Sequence, residues 1–155
     1  LPIFAENIGA TKYIVGLITS FGLLSTFIFT AISPIFVKKL GNKITLQIAS
    51  TLIILSLIIT PFIESYYLII PLQILGGAGR GLINTILISL VIQYTPEHLR
   101  GSTMGSYQAI YAIGMMAGPL ISGVIASIYG IESVFFTGVG ITLIGMAIIS
   151  NFKLK

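Results

Sequence analysis

Three polar side chains, those of Gln73, Arg80 and Asn84, lie in a largely apolar stretch of the chain. Together with Gly77 they recur at spacings of three and four residues, which places all four on one face of a helix. The guanidinium of Arg80 keeps its charge and presents five N–H donors, so it suits a carboxylate or another anion. This face predicts either an anion-binding wall of a cavity or a permanent tether to backbone carbonyl groups, and the residues alone leave both open.

A second polar face lies farther along the chain. Tyr107, Gln108 and Tyr111 fall on one broad side of a helical stretch, which Met104 and Met115 extend. Aromatic rings with a few placed polar groups suit a largely apolar cavity for a small molecule. Ordinary hydrogen bonding between packed helices is the alternative interpretation of the same face.

The chain offers little to catalysis or to metal binding. It has no cysteine, and its one histidine, His98, lies in a polar break. The acids Glu6, Glu64, Glu97 and Glu132 all fall in breaks or at the ends of apolar runs. Because paired carboxylates and a protease-type zinc motif are lacking, the sequence predicts a non-enzyme with no catalytic residue, no metal and no cofactor.

Both polar faces are set in long apolar runs that dominate the composition. Of the 155 residues, 55% are hydrophobic and 8% are charged, whereas a soluble domain carries about 25% charged residues. A membrane-spanning helix needs ~20 predominantly apolar residues. The sequence therefore predicts an all-α membrane protein with a single transmembrane helical domain over residues 1–155. Its five spans are expected at about 14–37, 44–63, 67–94, 102–129 and 134–152.

The net charge of +4 comes from basic residues in the breaks between these runs. We interpret it as a sign of membrane topology and not of nucleic-acid binding, because Lys and Arg near helix ends are retained on the cytoplasmic side. One side has only Lys12, whereas the other collects Lys38, Lys39, Lys43, Arg100, Lys153 and Lys155. We expect the second side to be cytoplasmic, with the N-terminus outside and the C-terminus inside a multi-pass cell membrane protein.

Small residues follow two of the predicted spans. Gly77 and Gly81 flank Arg80, and the fourth span carries Gly114, Gly118, Pro119 and Gly123. Small side chains allow membrane helices to approach closely. Both sets are therefore predicted to pack against neighbouring helices.

The break between the third and fourth spans contains a local helix signal. Threonine is a good N-cap residue and proline fits the first helical position. We therefore expect a short helical turn that begins at Pro96 and is capped by Thr95.

The break at residues 34–43 resembles a loop motif of the major facilitator superfamily of secondary transporters. In that family the loop follows the second helix of each six-helix half and reads Gly-x-Leu-Ala-Asp-Arg-x-Gly-Arg-Lys. Three family positions are matched by Lys39, Gly41 and Lys43. The family's first glycine, its acid and one arginine are replaced by Pro34, Lys38 and Asn42. Without the acid, the loop is more similar to the copy in the carboxyl-terminal half.

Two further stretches resemble the same family. Its Pro, Arg-Gly and Gly pattern before the fifth or eleventh helix is matched by Pro96, Arg100, Gly101 and Gly105. Its antiporter-type glycine and proline signature is matched by Gly114, Gly118, Pro119 and Gly123. The arginine motif of the family's fourth helix places its arginine at Gln73, so Arg80 inherits no role from that motif.

The resemblance implies a transporter of twelve helices in two halves, of which this chain is a five-helix fragment. Five spans with an outside start are typical of a six-helix unit without its first helix, and they resemble helices 8 to 12, with helices 2 to 6 as the alternative. The implied function is movement of a small solute across the cytoplasmic membrane by alternating access. The implied partners are the lipid bilayer, the missing half of the transporter and the solute, for which an anion is one candidate.

The same resemblance gives roles to two sets of residues. A cytoplasmic gating loop would consist of Lys38, Lys39, Gly41 and Lys43, although these lysines are equally explained as a topology signal alone. Candidates for the substrate path are Gln73, Arg80, Asn84, Tyr107, Gln108 and Tyr111. A non-transporting membrane module, which assembles with other subunits through its small-residue faces, is the alternative function.

Overall fold

Helices make up nearly all of residues 1–151, the part of the chain that the computed structural model describes. In chain order they are α1 (Pro2–Asn7), α2 (Lys12–Ile59), α3 (Ile69–Gln93), α4 (Arg100–Tyr129) and α5 (Ile131–Asn151). Short 3₁₀ turns cover Thr60–Phe62, Tyr66–Leu68 and Glu97–Leu99. The protein is therefore all-α within these residues. Phe152, where the fifth span was expected to end, and the basic residues Lys153 and Lys155 lie outside the described residues.

Four helical stretches within residues 1–151 are long and apolar enough to cross a membrane. They are Lys12–Phe62, Tyr66–Gln93, Glu97–Tyr129 and Ile131–Asn151. The first is 51 residues long, more than twice the ~20 residues that one crossing needs. Its length is explained by a sharp turn inside it.

That turn is at Gly41, which leaves the helical conformation with φ 81° and ψ 165°. Only glycine adopts this backbone region readily, because a Cβ would meet the adjoining peptide groups. Gly41 therefore divides α2 into a first arm, residues 12–40, and a second arm, residues 42–59. The turn lies inside the charged break that the sequence contains between its first two apolar runs.

The first arm runs in the same direction as α3. The hydroxyl of Ser25 donates to the carbonyl oxygen of Ile74 at 2.6 Å. Farther along both helices, five residues on α2 and seven on α3, the hydroxyl of Thr30 donates to the carbonyl oxygen of Gly81 at 3.4 Å. Residue numbers rise together along this contact, so the two helices are parallel.

The second arm runs the opposite way. The hydroxyl of Ser56 donates to the carbonyl oxygen of Leu72 at 2.8 Å, whereas Leu46 packs with Ile86 and Leu90 in a buried cluster. Residue numbers fall along α3 as they rise along this arm. Gly41 thus reverses the chain, and α3 lies between the two antiparallel arms of α2.

Glycines on α3 allow this close approach. A Cβ at Gly77 would meet the carbonyl oxygen of Gly22 on the first arm, and one at Gly79 would meet that of Ala49 on the second arm. Gly81 lies in the same way against the backbone of the first arm. Because these glycines face both arms, backbone meets backbone on two sides of α3, as small residues allow in membrane helices.

The last two helices are attached differently. Lys43, just after the Gly41 turn, donates from Nζ to the carbonyl oxygen of Ser150 at 2.6 Å. Leu57 lies against Gly138, where a Cβ would be 3.2 Å from its Cδ1 atom. These contacts seat α5 on the second arm. Helix α4 contains no buried residue within the described chain, so most of its surface is left open.

Two local predictions are wrong. The Thr95 hydroxyl does not cap the turn that follows it but donates to the carbonyl oxygen of Val91 at 2.6 Å, because a threonine at a helix end can also bond back to its own last turn. The turn itself is Glu97–Leu99 and has no side-chain cap. Helix α1 was not expected either, and it is held by an edge-on contact between Phe4 and Phe135, with ring centroids 5.4 Å apart.

Candidate functional site

A cavity of about 340 Å³ lies between both arms of α2 and helices α3 and α4. Its lining comes from α2 through Leu23, Thr26 and Ile53, from α3 through Arg80, Ile83, Asn84 and Leu87, and from α4 through Tyr107 and Tyr111. Arg80 is near the middle of α3, roughly 16 Å from one end and 20 Å from the other at 1.5 Å per residue. The cavity therefore lies level with the middle of a helix that is long and apolar enough to cross a membrane.

The packing of α3 decides which of its residues reach this cavity. The glycine contacts with the two arms occupy two sides of the helix. Arg80, Asn84 and Leu87 recur at spacings of four and three on a third side. A guanidinium and an amide are thus presented to the cavity from a helix that is otherwise fixed by backbone contacts.

Two glycines border the Arg80 guanidinium. A Cβ at Gly22 would be 3.6 Å from Nη2, and a Cβ at Gly76 would be 3.8 Å from Nη1. Arg80 Nη2 donates to Gln73 Oε1 at 3.5 Å, which is long for a hydrogen bond. This single weak bond orients the guanidinium and leaves most of its donor capacity to the cavity.

No carboxylate in residues 1–151 forms an ion pair with Arg80. The ion pair found in that part of the chain joins Arg100 to Glu97, at 3.5 Å, on the exposed turn before α4. A charge at membrane depth without a partner costs roughly 3 kcal/mol on insertion scales. Arg80 therefore needs water, a solute anion or an acid on a neighbouring element to stabilise its charge.

Two tyrosines form the wall that α4 contributes. The rings of Tyr107 and Tyr111, one helical turn apart, are stacked with centroids 6.4 Å apart and an interplanar angle of 18°. Tyrosine combines a large apolar face with a polar hydroxyl. This wall suits the flat ring system of an aromatic molecule.

The structure separates the six predicted path residues into three groups. The cavity is lined by Arg80, Asn84, Tyr107 and Tyr111. Gln73 does not line it but contacts Arg80. Gln108 is exposed and is not part of the lining, because a neighbour of Tyr107 is turned by about 100° around the helix axis.

Sequence reasoning missed the residues that α2 contributes. Leu23 and Ile53 are ordinary apolar side chains in apolar runs, so nothing in their type distinguishes a cavity wall from a lipid-facing position. Thr26 is polar, but its hydroxyl donates to the carbonyl oxygen of Gly22 in its own helix at 2.9 Å. Only the position of the two arms brings these residues to the cavity.

The predicted gating-loop residues lie around the Gly41 turn, away from the cavity. Lys38 and Lys39 are exposed at the end of the first arm. Lys43 is partly buried and is held by its bond to the Ser150 carbonyl group. The turn therefore joins the first arm, the second arm and the end of α5.

The predicted packing residues divide into two sets. Gly77 and Gly81 lie against the backbone of the first arm. On α4, a Cβ at Gly114, Gly118 or Gly123 would meet nothing within 4 Å, and Pro119 is exposed. Within the described chain, this face of α4 has no helix packed against it.

Comparison with known proteins gives a family for the chain. A family model described as Major Facilitator Superfamily matches residues 1–153. The multi-drug resistance efflux pump PmrA of Streptococcus pneumoniae is 29% identical over 139 residues, which cover 87% of this chain and 35% of the pump. The quinolone resistance protein NorA of Staphylococcus aureus is 25% identical over 150 residues, which cover 96% of this chain and 39% of that protein. The chain thus spans less than two fifths of the length of these relatives.

Proposed function

The chain belongs to the major facilitator superfamily, and on that premise we propose that it forms one part of a permease whose solute passes through the cavity around Arg80. Membership makes it a multi-pass membrane protein of a non-enzymatic transporter family, whose partners are membrane lipid and a small-molecule solute.

The composition of the cavity lining is the main support for a solute path at Arg80. The cavity combines apolar walls with one guanidinium, one amide and two stacked phenol rings. Small-molecule sites are typically apolar clefts with a few placed polar groups that fix orientation. In this arrangement Arg80 and Asn84 hold the polar end of the solute, and Tyr107 and Tyr111 contact its ring system.

We propose that the solute is amphipathic and aromatic and carries an anionic group. A guanidinium with unfilled donors binds a carboxylate through two parallel hydrogen bonds, and the lining residues include no acid that competes for it. The names of the relatives, an efflux pump for several drugs and a quinolone resistance protein, support export as the direction. An acid on another element of the complete transporter would be a second partner for Arg80, exchanged with the solute during the cycle.

Alternating access is the proposed mechanism. The two arms of α2 and helix α3 are joined by backbone contacts at glycines and by hydroxyl bonds between helices, which favours movement as one body. Helix α4 has no buried residue in the described chain and is free to change its neighbours. Rocking of one helix bundle against another around a midplane site is the usual way in which secondary transporters work.

We propose that further membrane helices cover the open face of α4. The support is that the chain spans 35% and 39% of the length of its two relatives, and that Gly114, Gly118 and Gly123 face open space. We place the chain as helices 8 to 12, with helices 2 to 6 as the alternative. The lysine-rich turn at Gly41 is then cytoplasmic and acts as a gating loop, held to α5 by Lys43.

Transport in energised membrane vesicles tests this function. The complete transporter that contains this chain is expected to move a fluorescent quinolone carboxylic acid at least several-fold faster than its ethyl ester, because only the acid presents an anion to Arg80. The 155-residue chain alone in liposomes is expected to move neither. Equal rates for acid and ester would contradict the proposed solute class, and transport by the isolated chain would contradict the need for further helices.

A further inference from the structure

A second groove lies at the Lys38 end of the first arm of α2. It has a volume of about 230 Å³, and its lining includes Pro34, Val37 and Lys38 of α2 and Ile86 and Ser89 of α3. It shares no lining residue with the cavity around Arg80. The groove is therefore a separate site.

The two sites lie on different sides of α3. Successive residues of a helix turn by about 100°, so Asn84, in the solute cavity, and Ile86, in the groove, point about 160° apart. The groove thus opens on the side of α3 that faces away from the proposed solute path. In a membrane protein that side meets other helices or lipid.

Positive charge and apolar surface adjoin at this groove. Lys38 borders it and also borders a neighbouring hollow of about 550 Å³, where Lys39, Pro34 and Ile35 complete the lining. Both lysine side chains are exposed. The nearby Lys43 differs, because its Nζ is engaged by the Ser150 carbonyl oxygen at 2.6 Å. Lys38 therefore stands at the rim of the groove, which forms a largely apolar trough, and Lys39 stands at the rim of the adjoining hollow, at the same end of a membrane-spanning helix.

We propose that this groove binds one anionic phospholipid. The phosphate lies at Lys38 and Lys39, and an acyl chain follows Val37 and Pro34 toward the membrane centre. Basic pockets between membrane helices near the lipid surface favour anionic headgroups, and lysine stems can lie along apolar surface while their charge stays at the headgroup level. A soluble phosphate would use only the rim, whereas a lipid uses both rim and trough.

Lipid binding to the purified complete transporter tests the proposal. Retention of phosphatidylglycerol and of phosphatidylcholine is measured by native mass spectrometry in detergent. The double substitution Lys38→Gln, Lys39→Gln is expected to weaken phosphatidylglycerol binding about tenfold and to leave phosphatidylcholine unchanged. Lys12→Gln, at the other end of the first arm, and Lys43→Gln, at the same end but with an engaged Nζ, are the matched controls and are expected to keep wild-type retention.

A variant that keeps both charges separates the groove from charge alone. Ser89→Phe fills the trough from α3 and is expected to reduce phosphatidylglycerol retention by a similar factor, while Lys38→Arg, Lys39→Arg retains it. Unchanged retention in the Gln variant, or an equal loss in Lys43→Gln or Lys12→Gln, would overturn the proposal. Displacement of the lipid by millimolar inorganic phosphate would also overturn it, because the site would then hold free phosphate and not a lipid.

Discussion

The Arg80 guanidinium and the Gln73 side chain meet across two turns of one helix, with Nη2 3.5 Å from Oε1. The spacing of seven residues brings the two positions onto the same side of α3. An arginine side chain in a helix leans toward the N-terminus, which carries the guanidinium back toward residue 73. Gln73 therefore orients Arg80 without neutralising it, and the charge remains available to a ligand.

Removing this charge is expected to abolish most transport of an anionic solute. Arg80→Gln in the complete transporter should lower initial rates of quinolone carboxylic acid transport by roughly 10- to 100-fold, since a charge-assisted hydrogen bond contributes about 1.5–3 kcal/mol. Arg80→Lys should retain part of the rate, because it keeps the charge but loses the paired donors. Rates in energised vesicles provide the measurement, and Lys12→Gln, which removes an exposed positive charge outside the cavity lining, is the control.

Because α3 packs closely against backbone, adding one methyl group to it is expected to lower the free energy of unfolding substantially. Gly77→Ala should lower the free energy of unfolding by about 1–3 kcal/mol, because its Cβ would meet the carbonyl oxygen of Gly22. Gly114→Ala places the same methyl group on α4, where nothing lies within 4 Å. Its effect should be neutral or stabilising by up to about 1 kcal/mol, because alanine favours a helix over glycine. Unfolding of the purified protein in mixed micelles measures both, and equal effects would argue against the observed approach of α3 to the first arm.

Side-chain hydrogen bonds between helices should contribute more to the free energy of unfolding than side-chain hydrogen bonds within a helix. Ser25→Ala removes the bond to the Ile74 carbonyl group on α3 and is expected to cost about 0.6 kcal/mol, with an upper value of about 1.7 kcal/mol. Ser20→Ala removes a hydroxyl that bonds to Gly16 in its own helix at 2.9 Å and should be close to neutral. The same unfolding assay compares them. A larger loss for Ser20→Ala than for Ser25→Ala would contradict the observed pairing.

The turn between the arms of α2 requires glycine for its backbone angles. No atom lies within 4 Å of a Cβ built on Gly41, so crowding is not the reason. Gly41→Ala should nevertheless cost about 1–3 kcal/mol, because φ 81° with ψ 165° is a region for glycine alone. Gly16→Ala, at an equally open but helical position, should be neutral or stabilising. Equal changes in the free energy of unfolding for the two substitutions would contradict the non-helical backbone conformation of Gly41.

Much of the fold could be predicted because apolar runs and charged breaks are direct consequences of the membrane as a solvent. The all-α class and the presentation of Arg80 and Asn84 on one side of a helix follow from composition and spacing. Helix α1 could not be predicted, since six residues carry too little periodicity, and it is fixed by packing of Phe4 on Phe135.

The candidate site was less predictable than the helices that form it. Leu23 and Ile53 line the cavity because Gly41 folds two arms around α3, and an apolar side chain carries no sign of which neighbour it will meet. Gln108 was expected beside Tyr107, but adjacent helix positions differ by about 100° and the cavity accepts only one of them. Small-residue spacing on α3 and α4 is similar, yet within residues 1–151 the glycines of α3 meet a neighbouring helix and Gly114, Gly118 and Gly123 of α4 do not.

As an aqueous solute path at membrane depth, the Arg80 cavity should admit a water-soluble thiol reagent. The test introduces Asn84→Cys into a transporter without other cysteines; the present chain already has none. The variant is then treated with a membrane-impermeant thiol reagent. We expect the cysteine at position 84 to be labelled, and its labelling to be slowed at least several-fold by a quinolone carboxylic acid. Ile141→Cys, at a position 66% exposed on α5, should stay unreactive in lipid. A thiol at position 84 that reacts from neither side of the membrane, with or without solute, would contradict the aqueous path.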